Sequence, residues 1–167
     1  MAITNAPVVA AINLCVHSIK YSSLGKIPFG HNGQSGQVNP SPAAEQTGED
    51  IPITLDFIES KDFRTLAFNA LPGEPGNNPT INAKVGDRII FNISNVGKSF
   101  HSFGVTLNDE GFGGILSGTA VATANAPLKP GEGGFSEFIP GEPGTYYYIC
   151  TVPGHREMGM VGTIIVE

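Results

Sequence analysis

The chain has 167 residues, which is enough for one domain with a sizeable core and short for two. Charged residues make up 14% of the sequence, and the formal net charge is −6. Because the net charge is acidic and lysine and arginine form no cluster, the composition gives no support for binding to nucleic acid or to an anionic membrane. No segment approaches the roughly 18 consecutive apolar residues that a membrane-spanning helix needs.

Residues 1–50 are predicted to form an N-terminal strand followed by a long loop or arm. Residues 8–20 mix an apolar run with partial alternation, and residues 21–50 are rich in glycine, proline and polar side chains. Such a long arm could wrap the domain or contact another subunit. An oligomer formed through the arm is therefore one of the arrangements that the sequence allows. The pattern assigns no function to Cys15, His17 or His31.

From residue 51 onward the sequence reads as a series of short strands. Clusters of Gly, Pro, Asn and Asp separate the strand-like runs, and this spacing predicts an antiparallel sandwich. The small residues of 113–126 could hold one short helix. The predicted strands are 51–59, 64–70, 80–85, 88–95, 99–107, 134–139, 145–151 and 159–166.

Three side chains share one face of the seventh predicted strand. Tyr146, Tyr148 and Cys150 alternate at period two, so the tyrosines are expected to line the core below the cysteine. Tyr148 stands two residues before the cysteine, which is the position of the corner tyrosine in Greek-key sandwiches.

The segment 150–160 carries the clearest chemical signal. Cys150, His155 and Met160 supply a thiolate, an imidazole and a thioether within eleven residues, and this combination of soft and borderline ligands suits copper. Pro153 and Gly154 form a turn signal that would fold the chain back between the cysteine and the histidine. The sequence therefore predicts a copper loop between two strands.

Cys150 admits other interpretations. It could be a buried structural thiol or a catalytic thiol with His101 or His155 as its base, although the sequence shows neither an oxyanion hole nor an orienting residue. Zinc could use one cysteine and two histidines, but a thioether is a poor zinc ligand. A disulfide with Cys15 is possible in principle, and the ligand context of Cys150 argues against it.

The pattern Cys-x4-His-x4-Met, followed by a last strand rich in Gly, Val and Thr, resembles the C-terminal copper loop of the cupredoxins. These are the small type 1 blue copper proteins, such as plastocyanin, azurin, auracyanin and rusticyanin. The resemblance covers roughly residues 50–167. It implies an all-β Greek-key β-sandwich with an N-terminal extension, organised as an arm over residues 1–50 and a cupredoxin domain over residues 51–167.

The resemblance also implies the ligands of one type 1 copper ion. In cupredoxins a further histidine lies on an upstream strand, and His101 is the natural match. The implied set is His101, Cys150, His155 and Met160, with Met158, Glu157 or water as alternatives at the axial position. Backbone N–H groups of Ser102 or Val152 are expected to donate to the sulfur, and the Ser102 hydroxyl is expected to tie the two ligand segments together.

The function implied by the resemblance is transfer of single electrons between redox proteins. Donor and acceptor would dock near His155, on an apolar patch of Pro153, Met158 and Val161. Arg156 and Glu157 would form the rim of that patch. Export to the periplasm or cell exterior is implied in the same way, and we expect that a signal has been removed.

A copper site of this kind could also serve two other functions. A copper enzyme acting on nitric oxide or nitrite would need an exchangeable position on the metal. A copper store or chaperone would favour flexible Met, His and Cys clusters, and the chain has only three methionines. A dinuclear copper site is disfavoured because it needs two cysteines in the loop.

Overall fold

The computed structural model describes residues 44–167. The strand predicted over residues 8–20, most of the predicted arm, and Cys15, His17 and His31 lie outside the described residues. Within residues 44–167, no helix is long and apolar enough to cross a membrane.

Eight strands in the described part form two four-stranded sheets. The first sheet has the order β2-β1-β4-β6, and the second has the order β3-β8-β7-β5. This is the predicted all-β Greek-key sandwich. The strands are β1 (Asp50–Glu59), β2 (Leu66–Phe68), β3 (Ile81–Ala83), β4 (Arg88–Asn95), β5 (Gly104–Thr106), β6 (Gly133–Phe138), β7 (Gly144–Ile149) and β8 (Val161–Val166).

The prediction of a purely antiparallel sandwich is wrong for two strand pairs. β1 pairs with β4 in parallel, and β3 pairs with β8 in parallel, while the other pairings are antiparallel. Parallel neighbours cannot be joined by a tight hairpin. The chain therefore crosses to other strands between β1 and β4 and between β3 and β8.

The helix predicted over residues 113–126 is not formed. This segment lies antiparallel to β5 and to the residue before it. Isolated bridges join Ile115 to Thr106 and Val121 to Phe103. Gly114 and Gly118 have φ angles of 68° and 81°, which a helix does not contain. Glycine is a poor helix former, so the backbone follows the sheet edge instead.

The core is filled by the facing side chains of both sheets. Leu55, Phe57, Ile89 and Phe91 are fully buried on the first sheet, and Tyr148 is fully buried on the second. Aromatic rings join the two layers, with centroid distances of 4.9 Å between Phe68 and Tyr148 and 4.8 Å between Phe91 and Phe103. This close packing limits the movement of β7 near the cysteine.

The hydroxyl groups of the two buried tyrosines bond differently from the prediction. Tyr146, rather than Tyr148, makes the local corner bond, donating to the Glu142 carbonyl four residues upstream at 2.9 Å. Tyr148 donates to the Pro79 carbonyl at 2.7 Å, in a loop distant in sequence. Its ring lies over Gly162, where an added Cβ would be 2.0 Å from the ring carbon Cζ. Tyr148 therefore fastens the loop before β3 to the sheet that carries the cysteine.

We expect Tyr148→Phe to lower the free energy of unfolding by about 1 kcal/mol, because the Pro79 carbonyl loses its donor while the ring stays in place. Urea denaturation of the metal-free protein measures this. Tyr147→Phe is the control, since the Tyr147 hydroxyl makes no hydrogen bond to any described residue. Equal stability losses in the two variants would show that the bond to Pro79 contributes nothing.

Candidate metal centre

The segment between β7 and β8 is a tight loop closed by its own backbone. Cys150 follows directly after β7, and its N–H donates to the carbonyl of Met160 at 3.2 Å. The N–H of Met160 in turn donates to the carbonyl of His155 at 3.1 Å. The predicted turn at Pro153 and Gly154 is present, with a φ of 85° at the glycine. These bonds bring the side chains at 150 and 155 to one point.

Two imidazole nitrogens and one sulfur converge in this loop. Cys150 Sγ lies 3.9 Å from His101 Nδ1 and 3.5 Å from His155 Nδ1. The two Nδ1 atoms are 3.3 Å apart. Three atoms with these separations all lie about 2 Å from the centre of the circle through them, which is close to a metal–nitrogen bond length. The arrangement fits a metal ion bound by both Nδ1 atoms and the sulfur.

Burial controls the charge of these groups. His101 and Cys150 have no solvent exposure, and His155 is partly exposed. Burial, aided by the neighbouring His155, lowers the pKa of His101 to about 4, and burial also lowers the pKa of His155. Both rings are therefore neutral at pH 7 in the metal-free protein, which is the form that binds metals.

The sulfur of Cys150 receives hydrogen bonds from the backbone around it. Burial raises the pKa of the thiol, whereas the N–H groups of Ser102 and Val152 oppose that rise. The N–H of Ser102 lies 3.4 Å from Sγ. The donor predicted at Ser102 is thus present. This bond favours the thiolate that a bound cation would require.

The Ser102 hydroxyl connects the two ligand segments, as predicted. Its oxygen accepts a hydrogen bond from the N–H of Thr151 at 3.2 Å and lies 2.6 Å from the Thr151 hydroxyl. His101 and Cys150 are the immediate neighbours of this pair, so their relative position is fixed from both chains.

The two methionines of the loop differ in burial. Met160 is fully buried in the core, whereas Met158 is only partly buried and its carbonyl accepts a hydrogen bond from Leu66 at 3.0 Å. Glu157 is exposed. Of these three axial candidates, Met160 alone lies wholly on the core side of the loop.

Sequence reasoning missed Glu59, the last residue of β1. Its Oε2 lies 3.6 Å from His101 Nε2, and its side chain is only 5% exposed. Neither of these two atoms has a hydrogen-bond partner among the described residues. A metal on Nδ1 would confine the ring proton to Nε2, facing this carboxylate. The signal was available, because Leu55 and Phe57 point inward and period two places residue 59 on the same face.

Arg156 does not lie at an exposed rim, so that prediction is wrong. Its side chain is buried, and its guanidinium donates to the carbonyls of Gly111 at 2.9 Å and Asn108 at 3.0 Å. It also lies over the ring of Tyr147, 5.3 Å from the centroid. Arg156 therefore fastens the ligand loop to the loop that follows β5.

Comparisons with known proteins agree with this centre. Residues 77–167 match the model of the copper binding proteins of the plastocyanin/azurin family. The chain is 34% identical over 136 residues to rusticyanin from Acidithiobacillus ferrooxidans, an alignment that covers 74% of this chain and 87% of that protein. A stretch of 41 residues is 54% identical to auracyanin-B from Chloroflexus aurantiacus and covers 25% of this chain and 17% of the other.

A solved structure supports the fold in the same way. Reduced auracyanin from Roseiflexus castenholzii superposes with a TM-score of 0.52 at 20% identity, covering 72% of this chain and 99% of the other. The chain belongs to the plastocyanin/azurin family of copper-binding proteins. Copper is therefore the cofactor of this centre.

We expect Glu59→Gln to weaken copper binding about 10–100-fold, because a partner of a ligating histidine usually contributes that much. The amide keeps the size of the side chain and removes its charge. Competition with a chelator, for both oxidation states of copper, measures the loss. Glu157→Gln is the matched control, since Glu157 is an exposed carboxylate of the ligand loop. An unchanged affinity in Glu59→Gln would contradict a role for Glu59 in holding His101.

Proposed function

We propose that the protein is a mononuclear type 1 copper protein that carries single electrons between redox partners. His101 Nδ1, Cys150 Sγ and His155 Nδ1 would bind the ion, with Met160 as the axial ligand and a domain spanning residues 51–167. The bound copper supplies the chemistry by cycling between Cu(I) and Cu(II). The protein's own residues hold the ligands in place and keep water away.

The observation that carries this proposal is the triangle of converging donor atoms. The three atoms lie within 4.8 Å of one another, and hydrogen bonds hold the segments that bear them. Transfer of one electron is fast when little has to move between the two oxidation states. A buried, cross-linked ligand set meets that requirement, because neither solvent nor loop motion has to rearrange.

His155 is the proposed point of electron entry and exit. Among the three converging ligands it alone is partly exposed, and exposed Pro153 lies two residues before it. Met158 and Val161 contribute half-buried apolar surface nearby. A small apolar contact of this kind suits a partner that must bind briefly and leave. We expect such partners in the periplasm or another compartment outside the cytoplasm.

A copper enzyme acting on nitric oxide or nitrite has less support. The chain is 31% identical over 94 residues to L-ascorbate oxidase from Cucurbita pepo, but the match covers only 16% of that protein. A laccase structure from B. aclada superposes with a TM-score of 0.53 at 19% identity and shares the fold with 23% of its own chain. The full burial of Met160 favours a closed site over an open axial position.

The absorption and EPR spectra of the copper-loaded, oxidised protein test the proposal. We expect an intense thiolate-to-copper band that added azide or nitrite does not change, together with fast electron self-exchange. Cys150→Ser should remove the band and leave the fold intact. A band that moves with the added anion would reveal an open position and favour the enzyme.

Met160→Leu should shift the reduction potential and the spectrum while copper stays bound, because the thioether is a weak ligand and leucine fills the same volume. Met158→Leu is the matched control and should change neither. If Met158→Leu produces the shift instead, the axial assignment is wrong.

A further inference from the structure

The described part of the chain is strongly acidic, but one side of the copper end is not. The sequence has nine lysines and arginines, of which Lys20 and Lys26 precede residue 44, so seven remain against all fifteen acidic residues. Four of those seven are exposed and lie around His101 and Glu59. They are Lys61, Arg64, Lys98 and Lys129. In residues 44–167, none of these four side chains forms a salt bridge.

Backbone contacts locate these four residues at the metal centre. Lys61 and Arg64 belong to the turn between Glu59 and β2, and the first residue of β2 bonds to the ligand loop at Met158. The N–H of Lys98 donates to the Glu59 carboxylate. Lys129 follows Leu128, whose backbone exchanges two hydrogen bonds with His101, at 3.1 and 2.7 Å.

The four cations on this side outnumber the exposed carboxylates. Among the described residues these carboxylates are Asp62 and Glu132, each held by hydrogen bonds within its own turn. Asp62 accepts hydrogen bonds from the Ser60 hydroxyl and the Arg64 N–H, and Glu132 accepts one from the Lys129 N–H at 2.7 Å. Exposed Asp109, Glu110 and Glu157 lie on the other side, where Arg156 reaches the loop after β5. The copper end is therefore divided into a basic side and an acidic side.

Two exposed aromatic rings lie between the basic residues. Phe63 is 48% exposed and Phe100 is 54% exposed. Phe63 has a φ of 58°, which is uncommon for a bulky residue, and the bond from its N–H to the Ser60 carbonyl at 2.9 Å fixes the turn. Backbone strain of this kind is concentrated at functional sites. Phe100 directly precedes His101, so an occupant of this surface is one residue from a copper ligand.

The opposite end of the sandwich provides the contrast. β1 runs for ten residues from Asp50 to Glu59, which is about 30 Å. Its start lies among acidic residues, with Lys84 and Arg88 as the basic ones. Since the Debye length is about 8 Å at physiological ionic strength, the two ends act on a partner independently.

We propose that this basic aromatic surface, formed by Lys61, Phe63, Arg64, Lys98, Phe100 and Lys129, docks a redox partner protein whose own surface is rich in carboxylates. The proposal rests on the electron-carrier function and adds the chemical class of its partner. Lysine and arginine would steer the acidic partner, and the two rings would supply the apolar contact. A protein is favoured over an anionic membrane because a membrane would also meet the acidic remainder of the molecule, whereas a protein can touch this side alone.

Amide NMR of the full chain in its Cu(I) form tests the surface without electron transfer. The probe is hexacyanochromate(III), a redox-inert paramagnetic anion. Broadening should be confined to residues 61–64, 97–100 and 129. Broadening spread over the molecule, or absent from these residues, would overturn the proposal.

A kinetic test uses oxidation of the Cu(I) protein by hexacyanoferrate(III), in which copper loses one electron and the iron gains it. Lys98→Glu should slow this reaction several-fold at an ionic strength of about 0.01 M. The effect should fade near 1 M, where the Debye length is about 3 Å. Lys84→Glu is the matched control, because it makes the same change in net charge at the exposed far end. Equal slowing in the two variants would show that only net charge matters and would overturn the proposal.

Two further measurements separate the possible failures. If hexacyanochromate(III) binds this surface but electron self-exchange is slow, the electron-carrier function is refuted and the binding surface is supported. Fast self-exchange without anion binding here refutes the surface alone. Sedimentation with vesicles of phosphatidylglycerol and phosphatidylcholine, lost in Lys98→Glu, would assign the surface to a membrane and overturn the choice of a protein partner.

Discussion

The antiparallel pairing of β7 with β8 holds the metal centre together. Ile149 pairs with Val161, so the chain leaves one strand at Cys150 and must return within eleven residues to the other. The bond from the Cys150 N–H to the Met160 carbonyl extends that pairing by one step. The loop has little freedom as a result. The position of His155 follows from the length of the loop and from the turn at Gly154.

The second ligand segment reaches the same point through separate bonds. His101 lies outside the named strands and is held by its bridge to Leu128 and by the contact of Ser102 with Thr151. Glu59, at the end of β1, lies against the Nε2 side of the His101 imidazole. Three chain segments distant in sequence thus surround the donor atoms and leave only His155 partly exposed among the three converging residues. Burial keeps the imidazoles neutral, and the N–H of Ser102 favours the thiolate, so the charge states of all three groups suit a bound cation.

Charged residues around the centre have different roles because of where they are buried. Arg156 is drawn inward by two carbonyls and the ring of Tyr147, so it stabilises the loop and takes no part in an exposed rim. The exposed basic residues near His101 are left at the surface by short turns. An overall charge of −6 conceals this separation, since a sum over the chain has no spatial information.

The copper loop could be predicted from the sequence, because its ligands are close in the chain and their chemistry is distinctive. Local alternation and turn residues likewise predicted all eight strands of the described part. The pairing directions of the strands depended on contacts between distant segments. The same is true of the bridge that holds Val121 against Phe103. The same holds for Arg156, which was expected at an exposed rim and is buried against the loop after β5. Period two gives the inward face of Glu59, but its contact with His101 depends on how β1 packs. These features could not be predicted locally, because burial and hydrogen-bond partners are properties of the assembled chain and local sequence patterns do not contain them.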